Sequence, residues 1–307
     1  MFRWHPLPET EPSVIMASFK SGFVSIFGKP NAGKSTLLNA FIGEKMAIVS
    51  HKVQTTRHRI KGFVNTEAYQ VIFSDTPGII DPQYKLHQKM MQQVKNALED
   101  ADAALLVYDL TDRQVQESDK LFSELRLRVP AIVVLNKTDA VSPQVLTEAQ
   151  EFFKQRPYAK KVVAISAKNK KGINELLEEA VKFLPEGEPY YSTEDLSDMP
   201  TKFFVGELVR ENIFSLFHEE LPYHTAVLVQ EFTQKSTLIK IRADIIVQRE
   251  TQKFIIIGEG GSMIKKLGTI SRAAIEEFLG SKVFLELFVK VKPKWRDDEL
   301  KLREYGY

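Results

Sequence analysis

The stretch Gly28-Lys29-Pro30-Asn31-Ala32-Gly33-Lys34-Ser35-Thr36 constrains the fold more than any other part of this 307-residue chain. It matches the pattern G-x-x-x-x-G-K-[ST], with hydrophobic residues 23–27 before it and the hydrophobic spacing of a helix after it, over residues 36–42. Strand, glycine-rich loop and helix in this order predict that backbone N–H groups converge on nucleotide phosphates. We expect the whole stretch to bind phosphate, with Lys34 at the β- and γ-phosphates and Ser35 as a ligand of Mg²⁺.

The segment Asn136-Lys137-Thr138-Asp139 follows the hydrophobic residues 131–135 and indicates which base is bound. The Asp139 carboxylate can accept hydrogen bonds from both N1–H and N2–H of guanine, whereas adenine would leave this charge poorly paired. We expect Asn136 to connect this loop to the phosphate loop and the stem of Lys137 to cover one face of the base. The segment therefore predicts a guanine nucleotide.

A further loop supports the choice of guanine. Hydrophobic residues 162–165 lead into Ser166-Ala167-Lys168, and we expect the backbone N–H of Ala167 to meet O6 of the base. Two base-recognition loops, each closing a hydrophobic strand, are a more specific signal than either loop alone.

Two segments between these loops are candidates to sense the γ-phosphate. Asp75-Thr76-Pro77-Gly78 ends a hydrophobic run, so Asp75 is placed to hold the Mg²⁺ shell and the Gly78 N–H to meet the γ-phosphate. Upstream, Gln54-Thr55-Thr56-Arg57-His58 offers a threonine hydroxyl to the same ion, and we favour Thr56 over Thr55 as the ligand.

Taken in order, these loops resemble those of the translation-factor-related small GTPases. The combination of Gly28–Ser35 with Gln54–His58 and Asp75–Gly78 is specifically similar to the Era family of bacterial ribosome-assembly GTPases. The resemblance implies an α/β P-loop GTPase domain with a mainly parallel sheet and helices on both faces. It also implies hydrolysis of GTP to GDP and phosphate, with Mg²⁺ as cofactor.

Ile79 occupies the position where Ras-like enzymes carry the glutamine that orients the attacking water. Isoleucine can neither accept a proton nor align water, so we expect slow intrinsic hydrolysis. In related GTPases with a hydrophobic residue here, an asparagine at the position of Asn31 helps to hold K⁺, whose charge would act beside the β–γ bridge. Arg57 and Arg59 are alternative sources of positive charge. The remaining interpretation is that hydrolysis is weak and that the protein works mainly by nucleotide-dependent binding of a partner.

Strands and helices alternate through the first part of the chain, which predicts a parallel sheet with its ligand at the carboxyl ends of the strands. We expect a flexible extension over residues 1–20, a GTPase domain over 21–185, a linker over 186–200 and a second domain over 201–307. The predicted strands are 23–27, 69–74, 103–108, 131–135 and 161–165, and the predicted helices lie near 34–42, 84–99, 114–127, 143–155 and 173–184.

The amino-acid composition indicates the cellular compartment and argues against a membrane-spanning protein. The chain has no cysteine, which excludes disulfides and fits a reducing compartment, and no hydrophobic run approaches the ~20 residues needed to cross a bilayer. We therefore expect a cytoplasmic protein, whose only membrane contact would be peripheral, on the inner face of the cell membrane.

The second domain contains the pattern G-x-x-G, from Gly258 to Gly261, after the hydrophobic residues 254–257, which we interpret as a strand. The remaining elements are a helix over 203–217, strands over 226–232, 238–248 and 283–291, and helices on either side of Thr269. This α-β-β-α-α-β order resembles a KH RNA-binding module with its extra elements at the N-terminus, as in the Era family. Glu259 departs from the KH pattern, because many KH loops carry a basic residue between the glycines.

Charge and aromatic residues favour RNA as the partner of this domain. Residues 240–296 contain 12 Lys and Arg against 6 Asp and Glu, a net charge of +6 that the whole-chain +2 conceals. We expect contacts to RNA from Gly258, Gly261, Ser262, Lys265 and Lys266, and stacking of a base on an exposed Trp295 ring.

The Era resemblance implies small-subunit (16S) ribosomal RNA and the small ribosomal subunit as partners, with nucleotide state gating RNA binding during assembly and maturation of the subunit. The alternative is a regulatory GTPase whose KH-like domain docks a protein or a membrane. An ATP-dependent RNA enzyme is disfavoured by Asp139.

Overall fold

The computed structural model describes residues 18–49, 52, 55–235 and 237–307. Most of the predicted extension therefore lies outside the described residues, as does Gln54 of the segment Gln54–His58. Lys20, placed in that extension, already belongs to the first strand, β1 (Lys20–Phe27).

The first domain is a six-stranded sheet with helices on both faces, which confirms the predicted fold class. The strand order is β2-β3-β1-β4-β5-β6, and every neighbouring pair is parallel except β2 with β3. Its other strands are β2 (Ile60–Asn65), β3 (Tyr69–Asp75), β4 (Ala103–Asp109), β5 (Ala131–Asn136) and β6 (Ala159–Ala164), and its helices are α1 (Lys34–Ile42), α2 (Lys85–Asp100), α3 (Val115–Glu124), α4 (Pro143–Lys154) and α5 (Ile173–Lys182).

Sequence reasoning missed strand β2. It is short and carries Gly62 at its centre, and glycine weakens a strand signal because it offers no side chain to pack. The structure explains this glycine, since a Cβ atom there would lie 2.0 Å from the Cδ1 atom of Ile42.

Strand β4 shows why the sheet is buried on both faces. Alternate side chains of a strand point to opposite faces. Ala103, Leu105 and Val107 accordingly belong to the hydrophobic cluster under α1 and α5, whereas Ala104, Leu106 and Tyr108 belong to the cluster under α2, α3 and α4. A continuous hydrophobic run is the expected pattern for such a strand.

The second domain packs helices on one face of a three-stranded sheet, β7-β8-β9. Its elements are α6 (Thr201–Leu216), β7 (Ala226–Gln234), β8 (Ile239–Val247), α7 (Glu250–Ile257), α8 (Ser262–Leu279) and β9 (Val283–Val291). The α-β-β-α-α-β order is confirmed, but the interpretation of residues 254–257 as a strand is wrong, because they form the end of α7. The two helices predicted around Thr269 are one continuous helix, α8.

The linker lies along the edge of the first sheet. The side-chain amide of Gln70 accepts from the backbone N–H groups of Tyr190 and Tyr191 and donates to the Tyr191 carbonyl. Phe63 stacks on Tyr191 at 4.2 Å, and its backbone N–H donates to the Leu196 carbonyl. These contacts give the irregular segment after α5 a defined path to α6.

The expectation that Trp295 is exposed is wrong. Its ring is fully buried, and its Nε1–H donates to the His224 carbonyl at 3.1 Å. The ring joins a hydrophobic cluster in which Leu86 and Met90 of α2 meet Leu302 of the C-terminal helix α9 (Glu299–Glu304). A buried indole cannot stack on an RNA base, so Trp295 does not contact RNA as predicted. It joins the two domains instead.

Replacing Trp295 by alanine should therefore destabilise the protein. Removal of a fully buried tryptophan costs about 3–5 kcal/mol, and we expect a loss of this size in the free energy of unfolding measured by urea denaturation. The control is Phe254→Ala, since Phe254 is 70% exposed and its removal should change stability by no more than about 0.5 kcal/mol. Equal, small effects of both substitutions would contradict the packing described here.

Candidate functional site

The phosphate loop joins β1, at the centre of the sheet, to α1. Gly28 and Gly33 have φ angles of +156° and +96°. A Cβ atom at Gly28 would lie 2.5 Å from the Val107 carbonyl oxygen, and one at Gly33 would lie 2.2 Å from Nδ2 of Asn136. Both positions therefore require glycine, because the loop passes close to its neighbours.

Lys34 lies across this loop. Its ammonium group donates to the carbonyls of Gly28 and Lys29, at 3.2 and 2.9 Å. Burial lowers the pKa of Lys34 to about 8, and the nearby Asp75 carboxylate opposes that effect. A buried ammonium beside a loop of backbone N–H groups is suited to phosphate oxygens, whose charge would stabilise its protonated form.

Three oxygen-bearing side chains converge next to the loop. The Ser35 hydroxyl lies 2.8 Å from the Thr56 hydroxyl and donates to Oδ2 of Asp75 at 2.6 Å, and Thr56 donates to the same oxygen at 3.2 Å. The other Asp75 oxygen is buried and has no hydrogen-bond partner among the described residues. Burial raises the pKa of Asp75, although Lys34 opposes this. These hard oxygen donors, one of them unpaired, fit Mg²⁺.

The two candidate threonines differ in their hydrogen-bond partners. The Thr55 hydroxyl donates to the Lys52 carbonyl at 2.6 Å, and the only threonine hydroxyl of the pair within reach of Ser35 and Asp75 is that of Thr56.

The loop after β3 packs directly on the phosphate loop. A Cβ atom at Gly78 would lie 2.8–2.9 Å from atoms of Pro30, so only glycine allows this approach. The Thr76 hydroxyl donates to the Ile26 carbonyl at 2.7 Å, and Pro77 is buried. The Gly78 backbone is thereby held beside the phosphate loop, as expected for a γ-phosphate contact.

Neither candidate arginine is free to assist hydrolysis. Arg57 is buried and donates to carbonyls of the second domain, and Arg59 is buried between Ser74 and Asp100. Ile79 packs against the hydrophobic cluster under α2. Asn31 has a φ of +64° and lies at the exposed tip of the phosphate loop.

The base-recognition loops lie at the ends of β5 and β6, which are neighbours in the sheet. Asn136 donates to the Ala32 carbonyl at 2.9 Å, so it connects the base and phosphate loops as expected. The Ser166 hydroxyl donates to Asp139 and lowers the pKa of its carboxyl group, which keeps the acceptor ionised.

Other groups of these loops are bonded within the protein. The Ala167 N–H, expected at guanine O6, donates to Oδ1 of Asn136 at 3.1 Å. The Lys137 ammonium pairs with Asp109 at the end of β4, and Lys168 is exposed. In the phosphate loop, Lys29 pairs with Asp112 and Glu117 at 3.0 and 2.9 Å. These ion pairs were not predictable, because the acids come from the end of β4, the turn after it and α3.

The G-x-x-G turn joins α7 to α8. Gly258 is packed against Met263, whereas a Cβ atom at Gly260 or Gly261 would meet nothing within 4 Å. All three glycines have positive φ angles, and Glu259 is exposed. The second half of the turn therefore presents open backbone at the start of a long helix, where a phosphate can approach.

A groove of about 340 Å³ runs between α8 and β9. Lys265 lines it, whereas Ser262 and Lys266 are exposed outside it. Sequence reasoning missed Thr269 and Arg272, although they lie four and seven residues after Lys265 and so share its helix face. The full lining is Ile264, Lys265, Gly268, Thr269, Arg272, Val283, Phe284, Leu285 and Leu287.

Two family models match the chain. One, described as a 50S ribosome-binding GTPase, matches residues 23–137, and a KH domain model matches residues 220–296. None of the described helices is both long and apolar enough to span a bilayer.

Relatives extend the similarity to nearly the whole chain. A chloroplastic ERA-like GTPase of Oryza sativa subsp. japonica is 41% identical over 297 residues, which cover 95% of this chain and 70% of the relative. A crystal structure of Aquifex aeolicus Era bound to GDP and AlF4⁻ is 39% identical, covers 94% of this chain and 99% of its own, and has a TM-score of 0.90.

Another Era structure, in complex with MgGDPNP and nucleotides 1506–1542 of 16S ribosomal RNA, also shares 39% identity, with a TM-score of 0.89 over the same fractions of both chains. The similarity spans the phosphate loop, the base loops and the G-x-x-G domain together. This chain therefore belongs to the Era-like family of GTPases.

Proposed function

We propose that this GTPase binds small-subunit (16S) ribosomal RNA through its KH domain and acts in assembly and maturation of the small ribosomal subunit. The observation that carries the proposal is the basic α8–β9 groove beside an open glycine turn, joined to a guanine-nucleotide site in one chain. The similarity to Era in complex with 16S ribosomal RNA supports it. We propose a cytoplasmic location, with any contact with the cell membrane being peripheral.

In the proposed nucleotide site, Ser35, Thr56 and Asp75 hold Mg²⁺, which when bound neutralises charge on the β- and γ-phosphates. Lys34 and the N–H groups of the phosphate loop bind the phosphates, and the Gly78 N–H faces the γ-phosphate. Asp139 and Asn136 select and orient guanine. Since Ile79 cannot align the attacking water, we propose that Asn31 helps to hold K⁺ at the phosphates.

Contacts between the domains support a gating role for the nucleotide. The helix after the γ-phosphate loop, α2, packs through Leu86 and Met90 on the C-terminal segment around Trp295. Lys89 of α2 also pairs with Glu299 of α9 at 2.5 Å. A shift of the loop on loss of the γ-phosphate would therefore displace the contacts between α2 and the second domain.

Asp139→Asn should change base preference from guanine toward xanthine. The amide replaces a pure acceptor by a mixed donor and acceptor, and its N–H₂ can donate to the 2-oxo group of xanthine. Competition between GTP and XTP for the purified protein measures the change. The control Asp195→Asn alters an exposed linker carboxylate and should leave preference unchanged. Unaltered GTP selectivity in Asp139→Asn would contradict the base assignment.

Hydrolysis should depend on the monovalent cation. If Asn31 helps to hold K⁺, GTP hydrolysis should be slower in Na⁺ than in K⁺ at equal ionic strength, and Asn31→Ala should abolish the difference. GDP affinity serves as the control for an intact phosphate loop. Equal wild-type rates in the two salts would remove K⁺ from the proposal.

Reversal of charge in the groove should weaken RNA binding. We expect Lys265→Glu and Arg272→Glu each to lower affinity for an RNA of the 3′ end of 16S ribosomal RNA about tenfold at fixed salt, since contacts in a nucleic-acid interface are worth about 1–3 kcal/mol each. Lys120→Glu, an equal charge change on an exposed side chain of α3, is the control.

The specificity of binding separates this function from its alternative. A large-subunit RNA of equal length should bind more weakly at the same salt concentration. If groove variants kept full affinity for 16S RNA, or if the protein bound anionic vesicles and no RNA, the docking alternative would replace the present proposal.

A further inference from the structure

The segment around Thr56 lies between the nucleotide site and the second domain. The Thr56 hydroxyl faces Ser35 and Asp75. On one side of it, the Thr55 carbonyl accepts a hydrogen bond from the second domain, and on the other side, Arg57 donates to carbonyls of that domain. Neighbouring side chains in an extended segment point in opposite directions, which makes this arrangement possible.

Arg57 holds the segment on the C-terminal side of Thr56. Its guanidinium donates to the carbonyls of Thr225, Pro222 and Tyr223, at 2.7, 3.1 and 2.9 Å. The side chain is only 2% exposed, so the charge is satisfied by these carbonyls of the turn between α6 and β7. Displacement of the turn would leave this buried charge without acceptors and would therefore be costly.

Arg210 of α6 holds the segment on the other side. Its Nη2 donates to the Thr55 carbonyl, and its guanidinium also makes two hydrogen bonds to Glu207 on the same helix. Arg210 is 1% exposed and Glu207 8%, so the pair is buried at the domain interface. The Glu207 carboxylate fixes the orientation of the arginine, because bidentate pairing allows one geometry.

We infer that Arg57 and Arg210 are positioning residues for Thr56, and that the second domain acts as an internal effector of the nucleotide site. With both neighbours fixed, the Thr56 hydroxyl is held where it can complete the Mg²⁺ shell of a bound nucleoside triphosphate. A diphosphate has no γ-phosphate to order this segment, so its affinity rises less when the second domain holds the segment in place. The second domain therefore favours GTP over GDP, whether or not RNA is bound.

Reciprocity follows from thermodynamic linkage. If contact with the second domain raises the affinity for GTP relative to GDP, then GTP stabilises that contact by the same factor. Displacement of α6 or of the 222–225 turn should lower the affinity for GTP and leave that for GDP nearly unchanged.

The test measures affinities of full-length Arg57→Gln for GDP and for a nonhydrolysable GTP analogue. We expect the preference for the analogue over GDP to fall about tenfold, with GDP affinity unchanged, and more Mg²⁺ to be needed for analogue binding. The double variant Glu207→Gln with Arg210→Gln should behave likewise, and it leaves no unpaired charge buried.

Lys45→Ala is the matched control. The Lys45 ammonium pairs with Glu211 of α6 at 2.6 Å across the same interface, but its side chain is 51% exposed, so its removal should leave the preference intact. An unchanged preference in Arg57→Gln and in the double variant would overturn the inference. So would an equal loss of affinity for both nucleotides, which would show general destabilisation. Because no RNA is used, these outcomes are independent of the proposed RNA-binding function.

Discussion

The close packing of the phosphate loop against its neighbours is the constraint on which the nucleotide site depends. Gly28 lies against the backbone of β4, Gly33 against the side chain of Asn136, and Gly78 against Pro30. Asn136 then joins this loop to the loop after β6 through Ala32 and Ala167. The loops after β1, β3, β5 and β6 are thereby held in one arrangement, so that the buried charge, the proposed metal ligands and the proposed base acceptors are oriented before a nucleotide arrives.

Buried charge connects this site to the second domain. Lys34 and Asp75 are buried within the site, and their pKa shifts, downward for the base and upward for the acid, both reflect desolvation. Arg57 and Arg210 are buried at the interface on the other side of Thr56. Buried cations need specific acceptors, which fixes the relative position of the groups that supply them. The polar contacts beside Thr56 and the hydrophobic cluster at Trp295 join the domains next to the two segments that are proposed to sense the γ-phosphate.

Much of this could be predicted because the informative signals are local. A strand followed by its loop and helix is encoded in adjacent residues, so the α/β fold of the first domain and the α-β-β-α-α-β order of the second could be predicted. Strand β2 was missed because Gly62 interrupts its hydrophobic pattern at the point where the strand packs closely against Ile42 of α1. Residues 254–257 were misassigned because a short hydrophobic run does not by itself distinguish a strand from the end of a helix.

The sequence by itself determined which nucleotide chemistry the chain carries, since glycines, lysine, carboxylates and asparagine at fixed spacings have few other uses. Only the tertiary structure decided the roles of Trp295, Arg57 and Arg210. An alternating pattern of lysines around a tryptophan resembles an RNA contact, yet the ring is covered by α2, about 200 residues earlier in the chain. Whether a side chain is exposed, and which groups it bonds, depends on the surface that packs against it. That surface is formed by residues far away in the sequence, so the local pattern does not reveal it.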